Sequence, residues 1–185
     1  MPHLVFVVNN ADFLVSHRLC LVDGALRDGF SVSAVAPPGS VPEALTARGV
    51  TVHPWQVSRK GQHLAAEAAS VARLVGLYRA LRPDVVHHVT IKPVLYGSAA
   101  ARVTGVRGVV NAVSGLGYVF LARGVAAAAR RTAVALAYRA ALSGPRTTVV
   151  LQNDDDEADL RRFGALPASA SVEKIRGSGV DLTRF

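Results

Sequence analysis

Short apolar, β-branched runs alternate with amphipathic helical stretches along the chain, and this rhythm constrains the fold more than any other feature. Strands are expected at Leu4–Asn9, Ser31–Ala36, Val50–Pro54, Asp84–His88, Gly108–Ala112 and Thr147–Gln152. Helices are expected near Phe13–Asp28, Val41–Arg48, Leu64–Leu81, Pro93–Thr104, Ala122–Ser143 and Asp154–Phe163. Leu64, Val71, Leu74, Val75, Tyr78 and Leu81 follow the period of one helical face. Gly29, Gly49, Gly105 and Gly144 fall just after helices, where a left-handed terminator is wanted. Asp154 is placed to cap the last helix, and the acidic run Asp154–Glu157 with Asp159 suits its positive N-terminus. That run has the composition of a metal site, but helix stabilisation explains it more simply.

Strands alternating with helices argue for a parallel sheet wrapped on both faces, and right-handed crossovers leave one open, doubly wound arrangement. The expectation is a single Rossmann-like α/β domain with a mostly parallel sheet. A length of 185 residues suits one domain with its own core, and 50% hydrophobic with 18% charged residues argues against disorder. No internal repeat or low-complexity linker is visible, and the alanines at 126–129 are ordinary helix composition. The single cysteine, Cys20, excludes an internal disulfide framework and a multi-cysteine zinc site. It lies beside the apolar stripe Val15, Leu19, Val22, Leu26, which predicts a packed thiol in a reducing, cytosolic compartment. The first apolar run, His3–Val8, lacks the basic start and long core of a secretion signal. The apolar helix over Val125–Leu142 is interrupted by Arg130 and Arg131, short of the roughly 20 clean residues that span a bilayer.

The formal charge of +8 is unevenly placed. Residues 1–153 carry 16 Lys/Arg against 6 Asp/Glu, whereas residues 154–185 carry 5 against 7. A basic body of this kind attracts nucleic acid, lipid headgroups or diphosphate-bearing substrates, or else its arginines simply solvate the surface. No RNA-binding aromatic signature or helix-turn-helix spacing gives the charge a nucleic-acid destination.

Function is written most densely between Pro83 and Gly97. The buried-strand signature Val85–Val89 empties into His87, His88, Thr90 and Lys92, with Pro93 at the start of a helix. In open α/β sheets, ligands bind in the crevice beyond the carboxyl ends of the strands. The loops after strands one, four and five therefore share one edge. The first carries Asn10, Phe13, Ser16, His17 and Arg18, and the last carries Ser114, Gly115, Leu116 and Gly117. The first loop lacks Gly-x-Gly-x-x-Gly, which argues against an NAD or FAD enzyme. His17 and Arg18 either reach a phosphate or sugar hydroxyl, or lie on a solvated face. Gly115-Leu116-Gly117 would let backbone N–H groups approach an anion. Strand alternation points His87 and His88 to opposite faces, so one is expected to be a hydrogen-bonded core histidine, and a two-His metal site is disfavoured. Lys92 opposes the dipole of the helix it begins, a cost that something anionic nearby would relieve. Neither a Gly-x-Ser-x-Gly elbow nor a Walker A loop is present.

Across essentially its whole length the sequence resembles the N-terminal half of bacterial family 4 glycosyltransferases, which are retaining enzymes of two facing Rossmann-like domains (the GT-B fold). The resemblance rests on the segments 13–18, 86–93 followed by Tyr96-Gly97, 111–117, 152–155 and 177–185, in that order and spacing. It is most similar to enzymes that elongate polyprenyl-diphosphate-linked sugars for surface glycans. The resemblance implies that residues 1–176 bind the acceptor and that residues 177–185 begin the crossover to a donor-binding domain. It implies Asn10, Phe13, Ser16, His17, Arg18, His88, Thr90, Lys92 and Ser114–Gly117 as substrate contacts, with no protein nucleophile, no metal and no cofactor. The nucleotide-sugar enters as co-substrate, held mainly by the second domain, and a lipid-linked or oligosaccharide acceptor and an anionic membrane surface are the other expected partners. Many family members place a histidine after the fifth strand; Ser114-Gly115 stands there instead. A sugar-nucleotide epimerase half-domain and a non-enzymatic basic binding module are the alternatives.

Overall fold

A computed structural model describes residues 1–57, 64–115 and 125–177. The strands are β1 (His3–Val7), β2 (Ser31–Ala36), β3 (Thr51–Pro54), β4 (Val85–Val89), β5 (Gly108–Val113), β6 (Thr147–Leu151) and β7 (Ser171–Lys174). The helices are α1 (Ala11–Arg27), α2 (Glu43–Thr46), α3 (Leu64–Leu81), α4 (Ile91–Thr104), α5 (Val125–Leu142) and α6 (Asp154–Arg162). The strands form one seven-stranded sheet in the order β3-β2-β1-β4-β5-β6-β7, with every neighbouring pair parallel. The doubly wound α/β expectation holds.

Several local expectations do not. The edge strand β7 went unforeseen because Ser-Val-Glu-Lys offers one apolar residue and no run. Asn153, not Asp154, caps α6: its side-chain oxygen accepts from the Asp156 N–H at 2.7 Å, and Asp154 becomes the first helical residue, paired with Lys174. Gly29, Gly49 and Gly105 do take left-handed backbone, but Gly144 does not. It is small for a different reason, since a Cβ there would lie 2.6 Å from the Thr147 hydroxyl. Cys20 is exposed and not packed.

The handedness of the crossovers distributes the helices unequally. From β1 the chain winds one way through β2 and β3, which puts α1 and α2 on one face. There Leu14, Leu19, Val22 and Leu45 bury against Phe6, Val32, Ala34 and Ala36. From β4 it winds the other way, so α3, α4, α5 and α6 share the opposite face. Leu74, Tyr78, Ala100, Tyr138 and Leu160 pack there on Val5, Val7, Val86, Val113, Val149 and Leu151. Parallel sheets are ordinarily covered on both faces. Here, among the described residues, the face that carries α1 and α2 has no helix over the β4, β5 and β6 positions His87, Val110, Ala112 and Val150. An apolar trough of about 620 Å³ opens there over Phe6, His87, Val110, Ala112 and Val150, with Cys20 at its border. No helix of the described residues is long and apolar enough to cross a membrane.

Candidate functional site

Because β1, β4 and β5 are parallel neighbours, the loops that follow them leave from one edge of the sheet. After β1, the Asn10 side chain accepts from the Asp12 N–H at 2.9 Å and caps α1, which explains why the helix starts at Ala11. Phe13 and His17 stack, with ring centroids 4.2 Å apart and planes 9° from parallel. The Ser16 hydroxyl donates to the Asp12 carbonyl at 2.9 Å and lies 2.7 Å from His17 Nδ1. A carbonyl only accepts, so the hydroxyl proton is committed there and Nδ1–H donates to Ser16. His17 is thereby held as an exposed ring, oriented by Ser16 on one side and Phe13 on its face. Arg18 turns inward, 7% exposed, and its Nη2 donates to the Ser114 hydroxyl at 3.3 Å. Burial lowers the guanidinium pKa. This contact ties the second turn of α1 to the loop after β5.

In β4 the two histidines face opposite sides, as strand alternation requires. His88 does not reach the cleft, which corrects its expected contact with substrate. It is fully buried, and both ring nitrogens are engaged: Nε2 lies 2.8 Å from the Tyr78 hydroxyl and Nδ1 2.7 Å from Asn111 Oδ1. Asn111 Nδ2 donates to Ser98 Oγ at 3.0 Å and to the Ala141 carbonyl at 3.2 Å, so Oδ1 is the acceptor and His88 Nδ1 carries the proton. Burial pulls the imidazole pKa down to about 4, outweighing the Asn111 bond, and pushes the Tyr78 phenol up. The ring lies so close to α4 that a Cβ on Gly97 would meet it at 2.4 Å. His87 faces the trough, its ring tilted 30° to that of Phe6 with centroids 5.1 Å apart. Its Nε2 is buried with no hydrogen-bond partner among the described residues. Burial first, then the charge of Arg18, depresses its pKa to about 3.

Thr90 joins β4 to α4 with φ 76° and ψ 168°, a conformation costly for any residue with a Cβ. Its hydroxyl is buried and has no partner among the described residues. Backbone strain and an unsatisfied hydroxyl thus coincide at one residue at the carboxyl end of β4. Lys92, in the first turn of α4, meets the anion that its place on the helix dipole calls for. The Glu67 carboxylate lies 2.6 Å from Nζ, and its second oxygen accepts from the Tyr96 hydroxyl at 2.6 Å. Burial opposes ionisation of Glu67, yet the bonds from Lys92 and Tyr96 outweigh it and hold the pKa below the usual range.

After β5, Ser114 is half-buried against Arg18, and Gly115 turns the chain with φ 86°. Leu116 and Gly117 lie outside the described residues, as does the expected crossover beyond Gly177. The sheet thus brings Asn10, Phe13, Ser16, His17, Arg18, Thr90, Lys92, Ser114 and Gly115 to one rim and withdraws His88. Sequence reasoning missed Glu67, Tyr78, Asn111 and Tyr96. Glu67 carried one signal, an acid in the first turn of a helix; Asn111 lay inside the expected strand Gly108–Ala112, and nothing in that strand's pattern foretells its bonds to His88 of β4 and Ser98 of α4. Among the described residues no three His, Cys, Asp or Glu side chains cluster closely enough to hold a metal ion.

Comparison with known proteins places this geometry. The family model described as Glycosyl transferase 4-like matches residues 3–153. No curated protein matches the sequence. Sucrose-phosphate synthase from Thermosynechococcus elongatus superposes with TM-score 0.67 at 12% identity over 95% of this chain and 48% of its own. Anabaena HepE, solved in complex with UDP-glucose, gives 0.63 at 17% over 99% and 45%. UDP-GlcNAc 2-epimerase from Neisseria meningitidis, bound to UDP-GlcNAc, gives 0.60 at 12% over 92% and 46%. The chain spans about half the length of these structures. The family model covers most of the sequence, so the chain belongs to the Glycosyl transferase 4-like family, and its one α/β domain matches in fold the N-terminal half of the GT-B neighbours.

Proposed function

We propose that this domain is the acceptor-binding half of a retaining, metal-independent glycosyltransferase acting on the cytoplasmic face of the membrane. It takes a sugar from a nucleotide-sugar, held mainly by a second domain, and passes it to a lipid-linked or oligosaccharide acceptor for surface glycans. The observation that carries this reading is the convergence of the three loops on one rim, with Arg18 bonded to Ser114 across it. On that rim His17 offers an oriented imidazole, Thr90 a strained backbone with an unsatisfied hydroxyl, and the segment Ser114–Gly115 a glycine turn. The basic body suits a diphosphate and anionic headgroups. The half-bare α1 face is where further polypeptide has room to pack, in keeping with a second half.

The test is sugar transfer by the chain joined to its donor-binding half. His17→Ala and Lys92→Ala should each raise KM for the acceptor by about tenfold, the worth of one charged or well-placed hydrogen bond. Unchanged acceptor kinetics in both variants would remove these residues from the site. The epimerase reading keeps one point in its favour, the structural likeness to UDP-GlcNAc 2-epimerase. Incubation with a nucleotide-sugar and no acceptor separates the two, since an epimerase then inverts the sugar and a transferase does not.

A further inference from the structure

Beside the rim, where β2 and β3 end against the first turns of α3, lies a recess of about 430 Å³ that none of the expected site residues lines. Its polar wall is Gln56, Glu67, Ser70 and Arg73, and its apolar wall includes Pro38 and Val57. The size falls within the ordinary range for small-molecule sites, about 300–1,000 Å³. Glu67 is the group with fixed geometry. It is clamped by Lys92 from one side and Tyr96 from the other, one bond to each oxygen. An ionised carboxylate has about four lone-pair sites, so this clamp leaves acceptor capacity toward the recess. Tyr96 is held in turn, edge-on to the fully buried Trp55, whose indole N–H donates to the Ser70 carbonyl at 2.9 Å. Ser70 Oγ donates to the Gln56 carbonyl at 2.8 Å and fixes that wall.

These groups select a ligand class. Glu67, its charge balanced by Lys92, accepts from hydroxyls, while the guanidinium of Arg73 donates to hydroxyl and ring oxygens, so the recess offers the paired acceptor and donor that a polyol needs. The apolar wall suits the C–H face of a ring. We infer that this recess is a subsite for a neutral, hydroxyl-rich pyranose, with Glu67 reading vicinal hydroxyls and Lys92 and Tyr96 positioning it. Resting on the acceptor-domain reading, the subsite takes the acceptor sugar next to the one that reacts. Lys92 links the two places: it belongs to the rim, and its ion pair sets the carboxylate of the recess.

The experiment is amide-resolved NMR titration of the 185-residue protein with methyl glycosides of glucose, galactose, mannose and N-acetylglucosamine, to about 20 mM each, the range of weak sugar affinity. At least one glycoside should shift the amides of residues 56–57 and 66–73. Glu67→Gln and Arg73→Ala should weaken that binding about tenfold, the cost of one charged hydrogen bond. Ala69→Phe, a change at an exposed helix position lining the recess, should abolish it by filling the space, with the folded spectrum retained. Val103→Ala, an exposed position near the far end of α4, should leave it unchanged. The inference is overturned if no glycoside shifts these amides, if the shifts fall only on the rim, or if affinity survives Ala69→Phe. Failure here alongside successful transfer by the joined enzyme would sink the subsite alone. Binding at the recess without any transfer would sink the transferase reading and leave a sugar site standing.

Discussion

His88 shows how much one residue can hold in a core this small. Four polar side chains, His88, Tyr78, Asn111 and Ser98, satisfy one another between β4, β5, α3 and α4, and Gly97 makes room for the ring. Gly97→Ala should destabilise the protein by about 2–4 kcal/mol, because the added methyl meets a ring fixed by two hydrogen bonds and cannot displace it cheaply. Urea denaturation measures this. The cost should shrink when His88→Ala is made with it, since the obstruction is then gone. The same ring sets a pH dependence. His88 is neutral when folded, with a pKa of about 4 against 6.5 for a free imidazole, and His87 is lowered to about 3 in the same sense. The unfolded chain therefore binds more protons at acid pH, so stability is complete above about pH 6.5 and is lost as pH falls toward 4. Denaturation midpoints across that window should fall with pH in the native protein and less steeply in His88→Gln.

Between elements, the ion pair of Lys92 with Glu67 joins the first turns of α3 and α4 at the rim. Both side chains are about one-fifth exposed, 21% and 18%, so solvent screens part of the attraction. A double-mutant cycle with Lys92→Met and Glu67→Gln should give a coupling of about 1 kcal/mol by urea denaturation, weaker in high salt. A coupling indistinguishable from zero would mean the pair orders the rim without stabilising it. Element assignment was legible from sequence wherever apolar periodicity was long. The boundaries of β2 and the end of α3 at Leu81 match to the residue, because an apolar strand pattern and a clean 3.6 period leave no rival. The short elements were not legible. α2 shrinks to Glu43–Thr46, and β7 has one apolar side chain that packs only because β6 lies beside it.

Over the whole molecule, the topology leaves the face that carries α1 and α2 open over β4, β5 and β6 among the described residues. The 185-residue chain should therefore bind the apolar dye ANS under native conditions while keeping its near-ultraviolet circular dichroism, which separates an open trough from a loosened core. Absence of dye binding would show the trough closed. The strand-helix alternation by itself determined the parallel, doubly wound sheet, and with it the edge on which Asn10, Thr90, Lys92 and Ser114 meet, because crossover handedness is a property of every L-polypeptide. It also determined that the two adjacent histidines part company, since side chains alternate along any strand. Only the tertiary structure decided which one is buried, because that depends on Tyr78 and Asn111 arriving from α3 and β5. It likewise decided that Lys92 faces Glu67, 25 residues away in sequence. Periodicity fixes which way a side chain points; what it meets there is set by packing between segments that the local pattern cannot see.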